Sequence, residues 1–136
     1  MSSEAWIATE GIASERQFSL RFREPSEARR LALKCQVSIS IGARGTSLTA
    51  QLEAEMTRFE HSVRSMIDAE DAWLAGVFST GGSREWCFYV AEWKAFIERF
   101  NALLADAPRF ALSMQYSEDP KWRYFSFLRS GFTDPT

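Results

Sequence analysis

One histidine and two cysteines are all the imidazole and thiol chemistry this chain of 136 residues carries. With His61 alone, no pair of imidazoles can hold a metal or share acid-base work, and its place between Glu60 and Ser62 on a polar helix face reads as a solvated side chain. Cys35 and Cys87 lie far apart inside strand-like apolar runs, so reduced, buried thiols are expected in place of a disulfide or a nucleophile. Basic stripes are missing as well. The net charge is -2 with acids and bases interspersed, which argues against a nucleic-acid partner. No window approaches the length of apolar residues that a membrane helix needs, and Met1-Ser2-Ser3-Glu4 resembles no secretion signal, so the expectation is a cytoplasmic protein without a membrane partner. Gly42-Ala43-Arg44-Gly45 and Gly81-Gly82 lack the lysine and spacing of a phosphate loop. No cofactor or metal is expected.

What is present is enough apolar material, 46% of the residues, to bury a core unaided in one domain spanning residues 1–136. Thirteen of the sixteen basic residues are arginine, the cation better suited to carboxylate pairing at protein interfaces. The organising stretch runs from Leu74 to Val90. Two β-branched and aromatic runs, Leu74 to Phe78 and Trp86 to Val90, flank Gly81-Gly82, and the glycines supply the positive φ of a tight hairpin. Arg84 and Glu85 stand at its rim.

Ahead of that hairpin, Ala5 to Thr9 is expected as a short strand ended by Gly11, and Gln17 to Arg23 as a half-buried one with Phe18, Leu20 and Phe22 inward. Alternation from Leu31 to Ile41 predicts a long strand whose Lys34, Gln36, Ser38 and Ser40 face water. Thr46 or Ser47 is expected to cap a helix reaching Asp68, with Leu48, Leu52, Met56, Phe59, Val63, Met66 and Ile67 as its buried stripe. After the hairpin, Trp93, Phe96, Ile97, Phe100, Leu103 and Leu104 recur at helical spacing until Ala107-Pro108 breaks the run. Phe110 to Tyr116 alternates as a last strand. Asp119-Pro120 reads as a helix start with proline at the first helical position, Trp122, Phe125 and Leu128 as the apolar side, and Gly131 as the stop. From Leu31 onward the order is strand, helix, strand, strand, helix, strand: an α+β, ferredoxin-like βαββαβ core with two helices on one face of an antiparallel sheet. The amino-terminal strands would widen or cover that sheet, and the short last helix would pack at an edge.

The Gly82-Ser83-Arg84-Glu85-Trp86 turn with Tyr89, the helix ending in Asp68-Ala69-Glu70-Asp71, and Glu118-Asp119-Pro120-Lys121-Trp122-Arg123-Tyr124 together resemble a bacterial family known as domain of unknown function 695. The resemblance spans nearly the whole chain and implies a fold, without an activity. The Asp-Pro-x-Trp ending is also similar to that of the regulator of ribonuclease activity B, an inhibitor of a ribonuclease, although here the aromatics that follow are Tyr124 and Phe125. That second resemblance implies a domain that works by binding another protein.

Adjacent carboxylates at Glu70-Asp71 and Glu118-Asp119 point apart on ordinary loops, and no complete catalytic set emerges. The aromatic back of the hairpin needs a cover, either the amino-terminal strands or the Trp122 helix; left uncovered, Arg84, Trp86 and Tyr89 would form an interface hot spot. Arg84 is expected to pair with Asp119 or Glu85, or to grip a partner's carboxylate. The expected function is a protein-binding regulator or immunity-type inhibitor using Arg84, Glu85, Trp86, Tyr89, Asp119, Trp122 and Tyr124. A rival reading is a small-ligand binder or enzyme with a pocket under the Gly81-Gly82 turn. A third is self-association through an exposed sheet edge, giving a homodimer.

Overall fold

The computed structural model describes residues 5–13, 16–43, 46–105 and 110–130. In chain order the elements are β1 (Ile7–Ala13), β2 (Arg16–Phe22), α1 (Glu27–Ala32), β3 (Cys35–Gly42), α2 (Ala50–Ser62), β4 (Ala72–Thr80), β5 (Ser83–Val90), α3 (Trp93–Leu104), β6 (Leu112–Glu118) and α4 (Arg123–Arg129). Every neighbouring pair in the six-stranded sheet is antiparallel, in the order β1-β2-β4-β5-β3-β6. The segment from β3 to β6 is therefore the expected ferredoxin-like core. Its β4 edge is widened by the β1-β2 hairpin.

Side chains that alternate along β5 build two cores. Trp86, Phe88 and Val90 meet Val37, Ile39, Phe59, Phe96 and Phe100 beneath α2 and α3. Cys87 and Tyr89 meet Leu20, Phe22, Trp73, Trp122, Phe125 and Leu128 beneath α4. A strand buried on both faces reads as a continuous apolar run, as Leu74 to Phe78 in β4 and Trp86 to Val90 in β5 do. At the turn between them Gly81 adopts φ +52°, and a Cβ on Gly82 would lie 2.9 Å from the Ser47 carbonyl oxygen. Glycine is needed there for curvature and for close approach. Among the described residues no helix is long and apolar enough to cross a membrane.

Several expectations are corrected. The long Leu31–Ile41 strand is two elements: Ser26 caps α1 by accepting from the Arg29 amide (3.2 Å), and the strand starts only at Cys35. Leu31, on the end of that helix, is 65% exposed, so its place in the alternation was coincidental. The helix expected to start at Thr46 or Ser47 and run to Asp68 instead starts after Thr49, whose hydroxyl accepts from Leu52 N–H (3.1 Å), and ends at Ser62. A 3-10 turn, Arg64–Met66, follows and turns Met66 into the core. Strand β1 continues through Gly11 to Ala13, and β6 runs from Leu112 to Glu118, two residues later than expected. Helix α4 lies on the back face of the sheet instead of at an edge, covering the aromatic side of the hairpin. Gln36, expected in water, is buried on that same face. The Arg44-Gly45 part of the loop, Ala107-Pro108 and Gly131 lie outside the described residues.

Candidate functional site

Asp119 sits in the bend from β6 into α4, where its own amide donates to the Lys34 carbonyl (2.7 Å). One carboxylate oxygen accepts from Arg123 N–H (2.9 Å), and the other from Tyr124 N–H (2.9 Å) and the Tyr89 hydroxyl (2.7 Å). Tyr89, while donating to Asp119, accepts from Phe125 N–H (3.0 Å). The opening amides of α4 are thus satisfied by one carboxylate and one phenol, the work of a helix cap. Pro120 does not open the helix. It occupies the second position of a β-turn closed by Trp122 N–H donating to the Asp119 carbonyl (3.0 Å), a position its fixed φ suits.

Trp122 follows in the left-handed region at φ +56°, a conformation that costs a bulky residue on the order of 1 kcal/mol. Its ring offsets that cost. It stacks on Tyr89 with centroids 3.6 Å apart and 6° between planes, and its indole N–H donates to the Leu33 carbonyl (2.8 Å). Tyr124 donates its hydroxyl to Glu85 across the same face. Burial first, and neighbouring acidic groups second, hold the phenols of Tyr89 and Tyr124 above their ordinary range, so both stay protonated as donors. Burial likewise pushes up the Cys87 thiol, which accepts from the Gln36 side chain at 3.5 Å. Cys35 is also a buried free thiol. The neutral hydroxyls of Tyr89 and Tyr124 and the neutral thiol of Cys87 beneath α4 make a clamp, with none of the activation that a nucleophile needs.

The expected site residues therefore divide between two faces of the sheet. Glu85, Tyr89, Asp119, Trp122 and Tyr124 belong to the clamp beneath α4. Trp86 and Arg84 point the other way, toward α2. Trp86, Tyr89 and Trp122 have no exposed surface, so of the two fates open to the aromatic side of the hairpin, the covered one is found. Arg84 pairs with neither Asp119 nor Glu85: its Nε donates to Ser79 Oγ (3.0 Å) and its terminal nitrogen lies 4.0 Å from Glu60. His61 is exposed.

Two features escaped sequence reading. Glu60 gathers the α2 side, accepting from the Trp86 indole (2.8 Å) and from Arg21 (3.0 Å). Beyond it a cleft of about 350 Å³ opens beside the Gly81 turn, its walls including Gln17, Ser19, Ser79, Ser83, Arg84 and Met56. A ligand pocket combining Arg84 with Glu85, Tyr89 and Trp122 is not assembled, because the sheet separates them. The second feature is Arg23, a buried cation just past the end of β2. A larger cleft of about 500 Å³ lies at the start of α3, where Trp93 stacks on Tyr116 (4.2 Å, 8°) between Lys34, Lys94 and Glu118.

Residues 14–129 match the model of a family described as a family of unknown function, DUF695. The chain belongs to the DUF695 family. The DUF695 match takes in β2 through α4, hence the whole clamp and the walls of the cleft beside Gly81 apart from Glu10, and leaves β1 outside. No curated protein matches the chain.

Proposed function

We propose that this DUF695 protein is a cytosolic, non-enzymatic protein-binding module, a regulator or immunity-type inhibitor that works by occluding its partner. The working surface is the cleft beside Gly81. The observation that carries this reading is the charge imbalance around it, where Arg84 of the cleft wall and Arg21 of β2 share the single carboxylate of Glu60. The Arg21 side chain is 47% exposed. Guanidinium donors remain for an incoming carboxylate, and the serine and glutamine groups of the floor suit the main chain of an extended segment. Glu10 on the far rim favours placing the partner's acidic side chain against the α2 wall. Tyr89 and Trp122 of the clamp, by contrast, are fully buried and offer a partner nothing to touch.

Photo-crosslinking tests this. A benzophenone side chain at Ser79, on the cleft, is expected to trap one partner protein in extract of the native cell. The same group at Gln115, on the exposed back of β6, is expected to trap none. Arg84→Ala should weaken capture by about tenfold, the value of a charge-assisted hydrogen bond. Equal labelling from both positions, or capture indifferent to Arg84, would contradict the proposal.

A further inference from the structure

We propose that the outer edge of β1 pairs with the same edge of a second copy, antiparallel and centred on Thr9, joining two six-stranded sheets into one. β1 ends the sheet, and among the described residues nothing covers its far side. Trp6, Ile7 and Ile12 are 39%, 46% and 74% exposed, so large apolar side chains are concentrated on this one short ribbon. Edge strands normally carry charges, lysine above all, proline or a bulge that discourages pairing, and of these Ile7–Ala13 carries a single charge, Glu10.

The register with β2 fixes which side chains share a face. Ile7, Thr9 and Gly11 stand opposite Phe22, Leu20 and Phe18, on the α4 side; Ala8, Glu10 and Ile12 stand opposite Arg21, Ser19 and Gln17, on the α2 side. Trp6 joins the α2 side, its ring lying 4.7 Å from the Arg23 guanidinium and 5.5 Å from that of Arg21. A two-fold axis perpendicular to the sheet keeps each face continuous, so the pairing must centre on a residue. Centring on Glu10 would set two carboxylates directly opposite each other, which is destabilising. Centring on Ala8 would leave Ile12 beyond the described ladder.

Centring on Thr9 resolves both problems. Trp6 then faces Ile12 of the second copy, twice by symmetry, an aromatic and β-branched pair of the kind that stabilises antiparallel sheets. Glu10 faces Ala8, and Thr9 faces its own copy. Ile7 falls opposite Gly11, which has no side chain to obstruct it and is already overlain by Phe18, whose ring would sit 2.7 Å from an added Cβ. Ile7 would extend that apolar surface. A single strand-to-strand ladder covers less than the roughly 1,600 Å² of a standard interface, so the dimer is weak, with a dissociation constant on the order of 10–100 µM.

Sedimentation equilibrium of the full chain is expected to show reversible dimerisation over that range. Ile12→Glu should weaken it by at least about tenfold with an unchanged melting temperature, since the side chain is mostly exposed. The register is read by cysteine: directly opposite Cα atoms lie about 4.5–5.5 Å apart, within disulfide reach, whereas two residues 10 would be diagonal and too distant. Thr9→Cys should therefore form an oxidised dimer at least tenfold faster than Glu10→Cys. A chain that stays monomeric at about 500 µM, well above that range, or a Glu10→Cys variant that cross-links as fast as Thr9→Cys, overturns the proposal. Arg84→Ala leaves dimerisation unchanged, so this result and the partner-capture result fail or succeed separately.

Discussion

Trp122→Ala is expected to destabilise the protein by about 4 kcal/mol, the middle of the range for truncating a fully buried aromatic. The melting temperature should fall by roughly 15 °C for a chain of this size. The loss combines three contributions. The ring leaves a cavity between Tyr89 and Trp73, whose centroids lie 3.6 and 6.0 Å from its own. The Leu33 carbonyl loses its buried donor, and the remaining alanine still occupies the left-handed conformation with nothing to offset it. Thermal unfolding followed by near-ultraviolet circular dichroism is the measurement. A change below about 1.5 kcal/mol would mean that α4 is held chiefly by Phe125 and Leu128, and that the stacked tryptophan matters little.

Arg23→Met is expected to cost about 3 kcal/mol although it replaces a charge by an apolar side chain of similar length. Arg23 is 4% exposed. Its Nε donates to the Leu74 carbonyl (2.8 Å), its terminal nitrogens to the Ile67 carbonyl (2.7 Å) and to Asp68 (2.9 Å), and its plane lies between Trp6 (4.7 Å) and Trp73 (4.3 Å). The guanidinium thus ties the 3-10 turn to the sheet, and methionine would leave two carbonyls without these donors. The ion pair itself is minor, because the Asp68 side chain is 61% exposed. Accordingly Asp68→Asn should cost less than about 1 kcal/mol, and Arg23→Lys should recover less than half of the methionine loss, since an ammonium cannot span all three acceptors. Urea unfolding of the three variants separates these contributions. Equal losses for Asp68→Asn and Arg23→Met would assign the role to charge instead of geometry.

The pieces that were legible in the sequence are those where the local pattern and the final environment agree. Trp93–Leu104 has a stripe that faces one core, and it is a helix over the residues whose spacing predicts one. The hairpin around Gly81-Gly82 is dictated by a glycine that must adopt positive φ. Pattern and environment part company at Leu31, where a six-residue helix turns an apolar residue outward inside a run that happened to alternate. Tertiary pairing was invisible for a different reason. Arg23 closes a strand of alternating residues and looks solvent-facing, yet the carbonyl it serves at Ile67 lies 44 positions away. Glu60 reads as one more carboxylate on a helix surface, because its partners Trp86 and Arg21 lie 26 and 39 positions away. The members of the clamp are legible individually, and Asp119 reads as a cap, but nothing local reveals that Tyr89, 30 positions earlier, completes it.

Native-state hydrogen exchange at the Tyr124 and Phe125 amides tests most directly whether the Asp119, Tyr89 and Trp122 constellation is architecture and not a reactive site. These two N–H groups donate to Asp119 and to the Tyr89 hydroxyl. If the clamp makes α4 an integral half of the core, both amides will exchange only through global unfolding, with opening free energies within about 1 kcal/mol of that for Phe88 in β5. Opening at about 1–2 kcal/mol while Phe88 stays fully protected would contradict this, showing α4 to be a separately mobile cover over a surface that can be exposed.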